Sequence, residues 1–294
     1  MPHHVPIMPR EVLDLLNPQP GWVVVDCTLG AGGHARLLAQ AVGPAGKIIA
    51  LDHDPAMIGL ATMQLAGLPV TAVHAGFDQL REILDTLHIT QVDAMLADLG
   101  VSSDQLDDPA RGFTFQADGP LDMRLDPTRG VPASRLLATL PEREIAELIY
   151  QFGEERHSRR IARRIVEARQ TQPLTTTQQL ADLVRQCVPR GKQRIDPATR
   201  TFQALRIAAN EELTALDVLL KSLPRCLRPG GRAAIISFHS LEDRRVKQTF
   251  RDRNVWQLLT KKPMTASEQE VQANPRSRSA KLRAAVILNE TGGK

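Results

Sequence analysis

The stretch Val23-Val24-Val25-Asp26-Cys27-Thr28-Leu29-Gly30-Ala31-Gly32-Gly33-His34 decides the fold. Its β-branched apolar run reads as a buried parallel strand. The run ends in an acid, and a glycine-rich turn then opens a helix expected over residues 35–41. Glycines at such a turn let the backbone approach a ligand where a side chain would clash. A nucleotide-like molecule is held in this way.

Working outward, the first hundred residues alternate between strand and helix patterns. Strands are expected at 22–27, 47–52, 70–74 and 92–97, with helices near Leu37 and over 57–65 and 80–87. Strand alternating with helix implies an α/β fold, a parallel sheet with helices on both faces. Ligands of such sheets bind beyond the carboxyl ends of the strands. Asp26, Asp52, His74 and Asp98 fall at or near those four ends.

After Asp98 the rhythm breaks. Residues 103–206 contain no clear strand. Ile145, Leu148, Ile149 and Phe152 stand at helical spacing, and so do Ile161, Ile165 and Val166. Leu180, Leu183 and Val184 suggest a further helix behind the start signal Thr175-Thr176-Thr177. The expected organisation is a sheet domain of residues 1–102 and 207–294 with a helical domain, 103–206, inserted in it. One helix over 202–223 should lead back to the sheet. Arg228-Pro229-Gly230-Gly231 should turn into a fifth strand at 232–237, followed by a helix at 241–251. Weaker strands are expected at 255–259 and 284–288. The polar region 261–281 reads as a mobile loop.

The chain has 294 residues, 42% hydrophobic and 24% charged, the composition of a globular protein. Met1 to Glu11 lacks an apolar core flanked by basic residues, so no secretory signal is expected. No apolar run approaches the roughly 20 residues that span a bilayer. Three scattered cysteines, Cys27, Cys187 and Cys226, fit a reducing cytoplasm and argue against a zinc cluster. The net charge of +4 is unevenly spread: residues 156–206 hold 12 Lys/Arg against 3 Asp/Glu. Concentrated positive charge suits a surface that meets phosphates; a solvated helix face is the alternative.

Gly30-Ala31-Gly32-Gly33-His34-Ala35 fits the G-x-G-x-x-A pattern of a dinucleotide site. Asp52, about 20 residues on, stands where an acid binds a ribose hydroxyl pair. That pairing serves NAD and S-adenosylmethionine equally. Asp26 separates them, because class I methyltransferases end the strand in an acid a few residues before the glycines. Dehydrogenases place the glycines directly after the strand. Asp98-Leu99-Gly100-Val101-Ser102-Ser103 then closes the fourth strand, where amino-group methyltransferases hold the target amine. The usual motif there has two prolines and an aromatic residue, and this chain has neither. Phe113, Phe115, Phe238 and His239 are the candidates for stacking a base, with core packing as the alternative role.

Further segments carry a specific resemblance. They are His4-Val5-Pro6, Arg111-Gly112-Phe113-Thr114-Phe115, Asp118-Gly119-Pro120-Leu121-Asp122-Met123-Arg124 and Gly153-Glu154-Glu155-Arg156. Downstream come Pro197-Ala198-Thr199-Arg200-Thr201-Phe202-Gln203-Ala204, Ile236-Ser237-Phe238-His239-Ser240-Leu241-Glu242-Asp243-Arg244 and Asn274-Pro275-Arg276-Ser277-Arg278-Ser279. With the glycine loop and the Asp98 motif, in this order over nearly the whole chain, they resemble the RsmH (MraW) family. These are small-subunit ribosomal RNA cytosine-N4 methyltransferases. The resemblance implies a Rossmann-like class I methyltransferase domain with an inserted helical, RNA-contacting domain. It implies S-adenosylmethionine as donor and a cytidine in the decoding region as acceptor. Carried over by motif, Gly32, Gly33, His34, Asp52, Phe77, Asp98 and Gln105 would hold the cofactor. The implied partner is small-subunit ribosomal RNA or the assembled small subunit, with no membrane; a homodimer is compatible with the reading. Asp196 stands where the family usually has His.

Asp98 is the expected orienter of the target amine, with Ser102 or Ser103 assisting. His34, at a helix N-terminus, suits cofactor binding better than base catalysis. Asp52-His53-Asp54 has no second His/Asp cluster at ligand spacing, so no metal is expected. Asp118 and Asp122 with Arg124 read either as an ion-pair turn or as substrate-side groups. Two other classes compete: a nicotinamide-dependent oxidoreductase, and a non-catalytic ribosome-assembly factor that keeps the cofactor for stability.

Overall fold

The structure, a computed structural model, describes residues 6–188 and 196–288. His4 and Val5 of the quoted segments lie outside the described residues, as do Arg190, Lys192 and Arg194 of the basic segment. The chain divides into two compact units, 1–100 with 213–294, and 101–212. The seams thus fall at Gly100 and Glu212 rather than at 102 and 206. Val101 packs with the apolar core of the helical unit, and the helix Ala198–Ala209 contributes Ala198, Phe202 and Leu205 to the same core.

Among the described residues the sheet unit has seven strands: β1 (Val23–Asp26), β2 (Lys47–Asp52), β3 (Val70–His74), β4 (Val92–Asp98), β5 (Leu227–Ser237), β6 (Trp256–Leu258) and β7 (Lys281–Ile287). Their order is β3-β2-β1-β4-β5-β7-β6. The first five run parallel, and β7 is antiparallel to both neighbours. This is a Rossmann-like α/β fold.

Both faces of the sheet are covered, which is why its strands read as unbroken apolar runs. Alternate residues divide between two cores. Val25, Ile49, Met95 and Ile235 pack with Leu80, Leu84, Leu219 and Phe250. Val24, Ile48, Leu96 and Ile236 pack on the other side with Val12, Leu16, Leu38 and Ala61. Each fully buried side chain of this kind contributes roughly 1.5–3 kcal/mol. The turn expected at Arg228-Pro229-Gly230-Gly231 is absorbed into β5 as a bulge, where pairing jumps from Val92 opposite Leu227 to Ala94 opposite Arg232.

The helix Pro9–Leu16, for which the sequence carries no expectation above, buries Val12 and Leu16. Two expectations are corrected. The region 261–281 is not an unstructured loop: it holds the helix Glu268–Ala273 and the turn Pro275–Ser279. Ser267 and Asn274 cap these two elements, and the Glu270 carboxylate accepts from the Met8 amide at 2.7 Å. The single helix over 202–223 is two, Ala198–Ala209 and Glu212–Cys226. Asn210 ends the first, and Glu211 has a left-handed backbone with φ of 50°.

The helical unit packs around its own core. Ile145 and Ile149 come from the helix Glu142–Gly153, Ile161 and Ile165 from Ser158–Thr171, and Leu180 and Val184 from Thr177–Cys187. Thr176 supplies the helix start, its hydroxyl accepting from the Gln179 amide at 3.3 Å.

Candidate active site

The five parallel strands of the sheet unit bring their carboxyl ends to one edge. Register places Asp26 beside Ala50 and Leu96, and Asp98 beside Ile236. The chain after Gly100 leads into the other unit, so the edge is built from Asp26, the glycine loop, Asp52, the Gly76–Phe77 turn, Asp98 and the end of β5.

The glycine loop is fixed by backbone. The Leu29 amide donates to Leu51 O, and the Gly30 amide donates to Asp52 Oδ2 at 2.7 Å. Gly30 and Gly32 both have positive φ, at 50° and 88°. A side chain is costly there, and at Gly32 a Cβ would also meet Leu65 at 2.9 Å. The helix Gly33–Val42 starts at once, which puts His34 in its first turn, 6% exposed. The other Asp52 oxygen accepts from the Asp54 amide at 2.8 Å. Asp52 is therefore held from both oxygens by amides, and burial pushes its carboxyl up, with the Asp54 and Gly30 amides opposing. Asp54 itself caps the helix Pro55–Gln64 by accepting from the Ala56 amide.

Around the glycine loop and the ends of β1 and β4, three polar side chains retain buried atoms without a hydrogen-bond partner among the described residues: Asp26 Oδ2, His34 Nε2 and Asp98 Oδ1. Asp26 is fully buried, and only its Oδ1 is engaged, by the Thr28 amide at 3.1 Å. Burial pushes its carboxyl up to about 7, with His34 and the Thr28 amide pulling the other way. Asp98 Oδ2 lies 3.6 Å from His34 Nε2. The Asp98 amide donates to the Thr28 hydroxyl at 2.7 Å. Thr28 thus ties the first strand's loop to the fourth strand, a role that the sequence reading missed. It also missed Gly76, where any Cβ would lie 2.3 Å from His53 Cε1. Phe77 follows in the turn Phe77–Gln79, its ring edge-on to His53 at 5.9 Å.

An unpaired buried polar atom costs about 1–3 kcal/mol, so three together mark a place where a ligand supplies the partners. The donor set suits a cation with hydroxyls: carboxylates at Asp26 and Asp98, an amide-fixed carboxylate at Asp52, and a neighbouring ring at Phe77. These features fit S-adenosylmethionine, with its sulfonium, ammonium, ribose and adenine.

The remaining predicted residues belong to the helical unit. Ser102 and Gln105 form a reciprocal cap: the Gln105 amide donates to Ser102 Oγ at 3.2 Å, and the Ser102 amide to Gln105 Oε1 at 2.9 Å. Ser103 opens the helix Ser103–Asp107. Asp122 takes Arg124 in a two-pronged pair at 2.7 and 2.8 Å. Asp118 accepts from the Gln178 amide at 3.0 Å, and this bond, first among several, holds its carboxyl below the usual range. Asn210 bridges three backbone groups, the Leu125 amide and the Met123 and Arg206 carbonyls. Asp196 accepts from the Ala198 amide and pairs with Arg185 at 3.0 Å, so the residue in the usual His position is a helix cap. Phe115 packs on Phe202 at 4.7 Å, and Phe113 is buried beneath Arg111. Both serve the core. By contrast Arg159, Arg160, Arg163 and Arg164 are all exposed on the helix Ser158–Thr171.

The MraW methylase family profile matches residues 1–288. The chain belongs to that family. A relative from Sorangium cellulosum, named ribosomal RNA small subunit methyltransferase H, is 51% identical over 285 residues, covering 96% of this chain and 90% of the relative. A protein of the same name from Rhodopirellula baltica is 49% identical over 294 residues, covering 96% and 90%. Among solved structures, an rRNA methylase from Streptococcus thermophilus is 12% identical with a TM-score of 0.44, covering 96% of this chain and 94% of that one. Membership makes the chain a methylase with S-adenosylmethionine as its cofactor.

Proposed function

We propose that this chain methylates the exocyclic N4 of a cytidine in the decoding region of small-subunit (16S) ribosomal RNA. The observation that carries the reading is Asp98. Its backbone is fixed by Thr28 and by β5, and its buried Oδ1 has no partner among the described residues. A carboxylate so placed is an acceptor for an amine proton.

When bound, S-adenosylmethionine supplies an electrophilic methyl carbon on a cationic sulfur. Asp26 and His34 line the cationic end. Asp52, held rigid by the Gly30 and Asp54 amides, takes the ribose hydroxyls. Gly32 and Gly33 let the backbone come close, and Phe77 borders the adenine. Gln105 is assigned to the same cofactor by family motif. Asp98 accepts from the cytidine amine, whose lone pair is delocalised into its ring, and turns nitrogen toward the methyl carbon. Alignment for an in-line displacement then contributes much of the rate. Asp98 is also placed to take the proton that the amine sheds. Ser102 and Ser103, the next polar side chains along the chain, assist. The exposed arginines of the helix Ser158–Thr171 hold RNA phosphates. The low aromatic content, 3%, disfavours an extended stacking platform and favours folded RNA with one base extruded.

The test supplies labelled S-adenosylmethionine and small subunits lacking their native modification, then identifies the labelled nucleoside by mass. Label in N4-methylcytidine is the expected result. Label in another nucleoside overturns the target, and absence of label despite cofactor binding returns the chain to an assembly-factor role.

A further inference from the structure

The basic charge noted in the sequence lies in the helical unit, yet the sheet unit has a concentration of its own. Residues 244–262 hold seven Lys/Arg and one acid, Asp252. Three of these cations meet in space. Lys247 and Arg251, at the C-terminal end of the helix Ser240–Phe250, line a cleft with Lys261, Arg283, Thr260 and Leu258 beside edge strand β6. Arg283 is 7% exposed and forms the floor, oriented by Asp243 at 2.7 Å. That single carboxylate also receives Lys281 at 3.7 Å, and these two cations with Lys247 hold its carboxyl below the usual range against its burial. Arg251 and Lys261 are exposed and form no ion pair among the described residues.

The charge is not balanced locally. A helix C-terminus attracts about half an elementary charge, far less than Lys247, Arg251 and Lys261 bring together. Uncompensated cations around a cleft with a buried guanidinium floor suit a compact anion with several acceptor oxygens. Lys247 lies seven residues into its helix, about 10 Å along it from Ser240. The cleft is therefore separate from the strand ends that carry the cofactor groups.

We propose that the Lys247–Arg251–Lys261 cleft binds a backbone phosphate of the RNA substrate, so that the sheet unit grips RNA itself rather than leaving this to the helical unit. The inference rests on ribosomal RNA being the substrate. Phosphate contacts position without reading sequence, so the cleft would set RNA register and leave base choice to the active site.

The test uses the full chain carrying Lys247→Gln, Arg251→Gln and Lys261→Gln together. Binding to small-subunit rRNA is titrated across salt concentrations, with S-adenosylmethionine binding and melting temperature as controls. Expected are unchanged cofactor binding, RNA affinity lower by about tenfold, and a log–log salt slope reduced by about 1. If the triple variant melts early, Lys261→Gln alone, at an exposed position, must still lower RNA affinity. An unchanged slope overturns the cleft while the parent's own binding leaves the substrate reading intact. A parent that binds no rRNA overturns the substrate reading and this inference with it. Unchanged RNA binding with increased self-association would show that these cations guard the β6 edge, and would also overturn the inference.

Discussion

Asp98 and Asp122 are both carboxylates from motifs shared with the family, and the two units use them differently. Asp98 keeps a buried oxygen without a partner among the described residues, beside His34, whose Nε2 is in the same condition. Asp122 has both oxygens engaged by Arg124. The same contrast runs through their neighbours. Asp26 at the sheet edge is half-satisfied, whereas Asp118, Asp196 and Asn210 in the helical unit hold caps and turns. A motif residue whose hydrogen-bonding capacity is left over in a buried place points to a ligand. One whose oxygens close an ion pair, a helix cap or a turn of its own unit points to architecture; Asp52, whose amide bonds tie it to the glycine loop, is assigned to the cofactor by motif instead. By that criterion Asp118, Asp122, Asp196 and Asn210 build the shape of the helical unit, and its proposed RNA contact is left to the exposed arginines.

The largest effect that could break this contrast is on turnover. Asp98→Ala should lower kcat by roughly 100-fold or more, far more than it weakens cofactor binding. Asp122→Ala should instead act on stability, seen in the melting curve. Comparable loss of kcat in both variants would erase the distinction. Next in size is replacement of Arg159, Arg160, Arg163 and Arg164 by Gln. The salt slope of rRNA binding should fall by about 1 for each phosphate that the variant no longer neutralises. Most of the change should come from Arg159 and Arg160, because Arg163 and Arg164 already have Glu142 and Glu167 within 3.9 and 2.8 Å.

Asn210→Ala sharpens the architectural half. It removes partners from the Leu125 amide and the Met123 carbonyl, and should cost about 1–3 kcal/mol in denaturant unfolding without changing cofactor affinity. The pH dependence of stability sharpens the sheet half. Unfolded, Asp26 titrates near 3.9; folded, burial raises it to about 7. The native state then holds the proton more tightly, so this group's stabilisation is full below about pH 4 and is lost as pH rises toward 7. Asp26→Asn removes the titration. Relative to the parent, its melting temperature should rise by a few degrees between about pH 4 and pH 7 and stay level above. A pH-independent difference would place Asp26 in a solvated setting.

The sheet was legible in the sequence because its signals are local. Unbroken apolar runs, an acid at the end of three of them and glycines at a tight turn are each read within a dozen residues. Asp26, Asp52 and Asp98 were placed for the same reason. What escaped depends on distant partners. The helix break at Asn210 is fixed by the backbone of Met123 and Leu125, and the order of region 261–281 includes a bond from Glu270 to Met8. Thr28 was unremarkable until its hydroxyl met the Asp98 amide, 70 residues away. The cleft at Lys247 and Lys261 was hidden because composition averages charge over a unit, whereas a phosphate meets it at a point.

The most direct test of the two-unit account is a paired titration on two variants, Asp52→Ala and the fourfold arginine replacement, each against S-adenosylmethionine and against small-subunit rRNA. The account predicts a crossed result. Asp52→Ala loses the cofactor and keeps the RNA; the arginine variant loses the RNA and keeps the cofactor. Equal weakening of both ligands by either variant would contradict it.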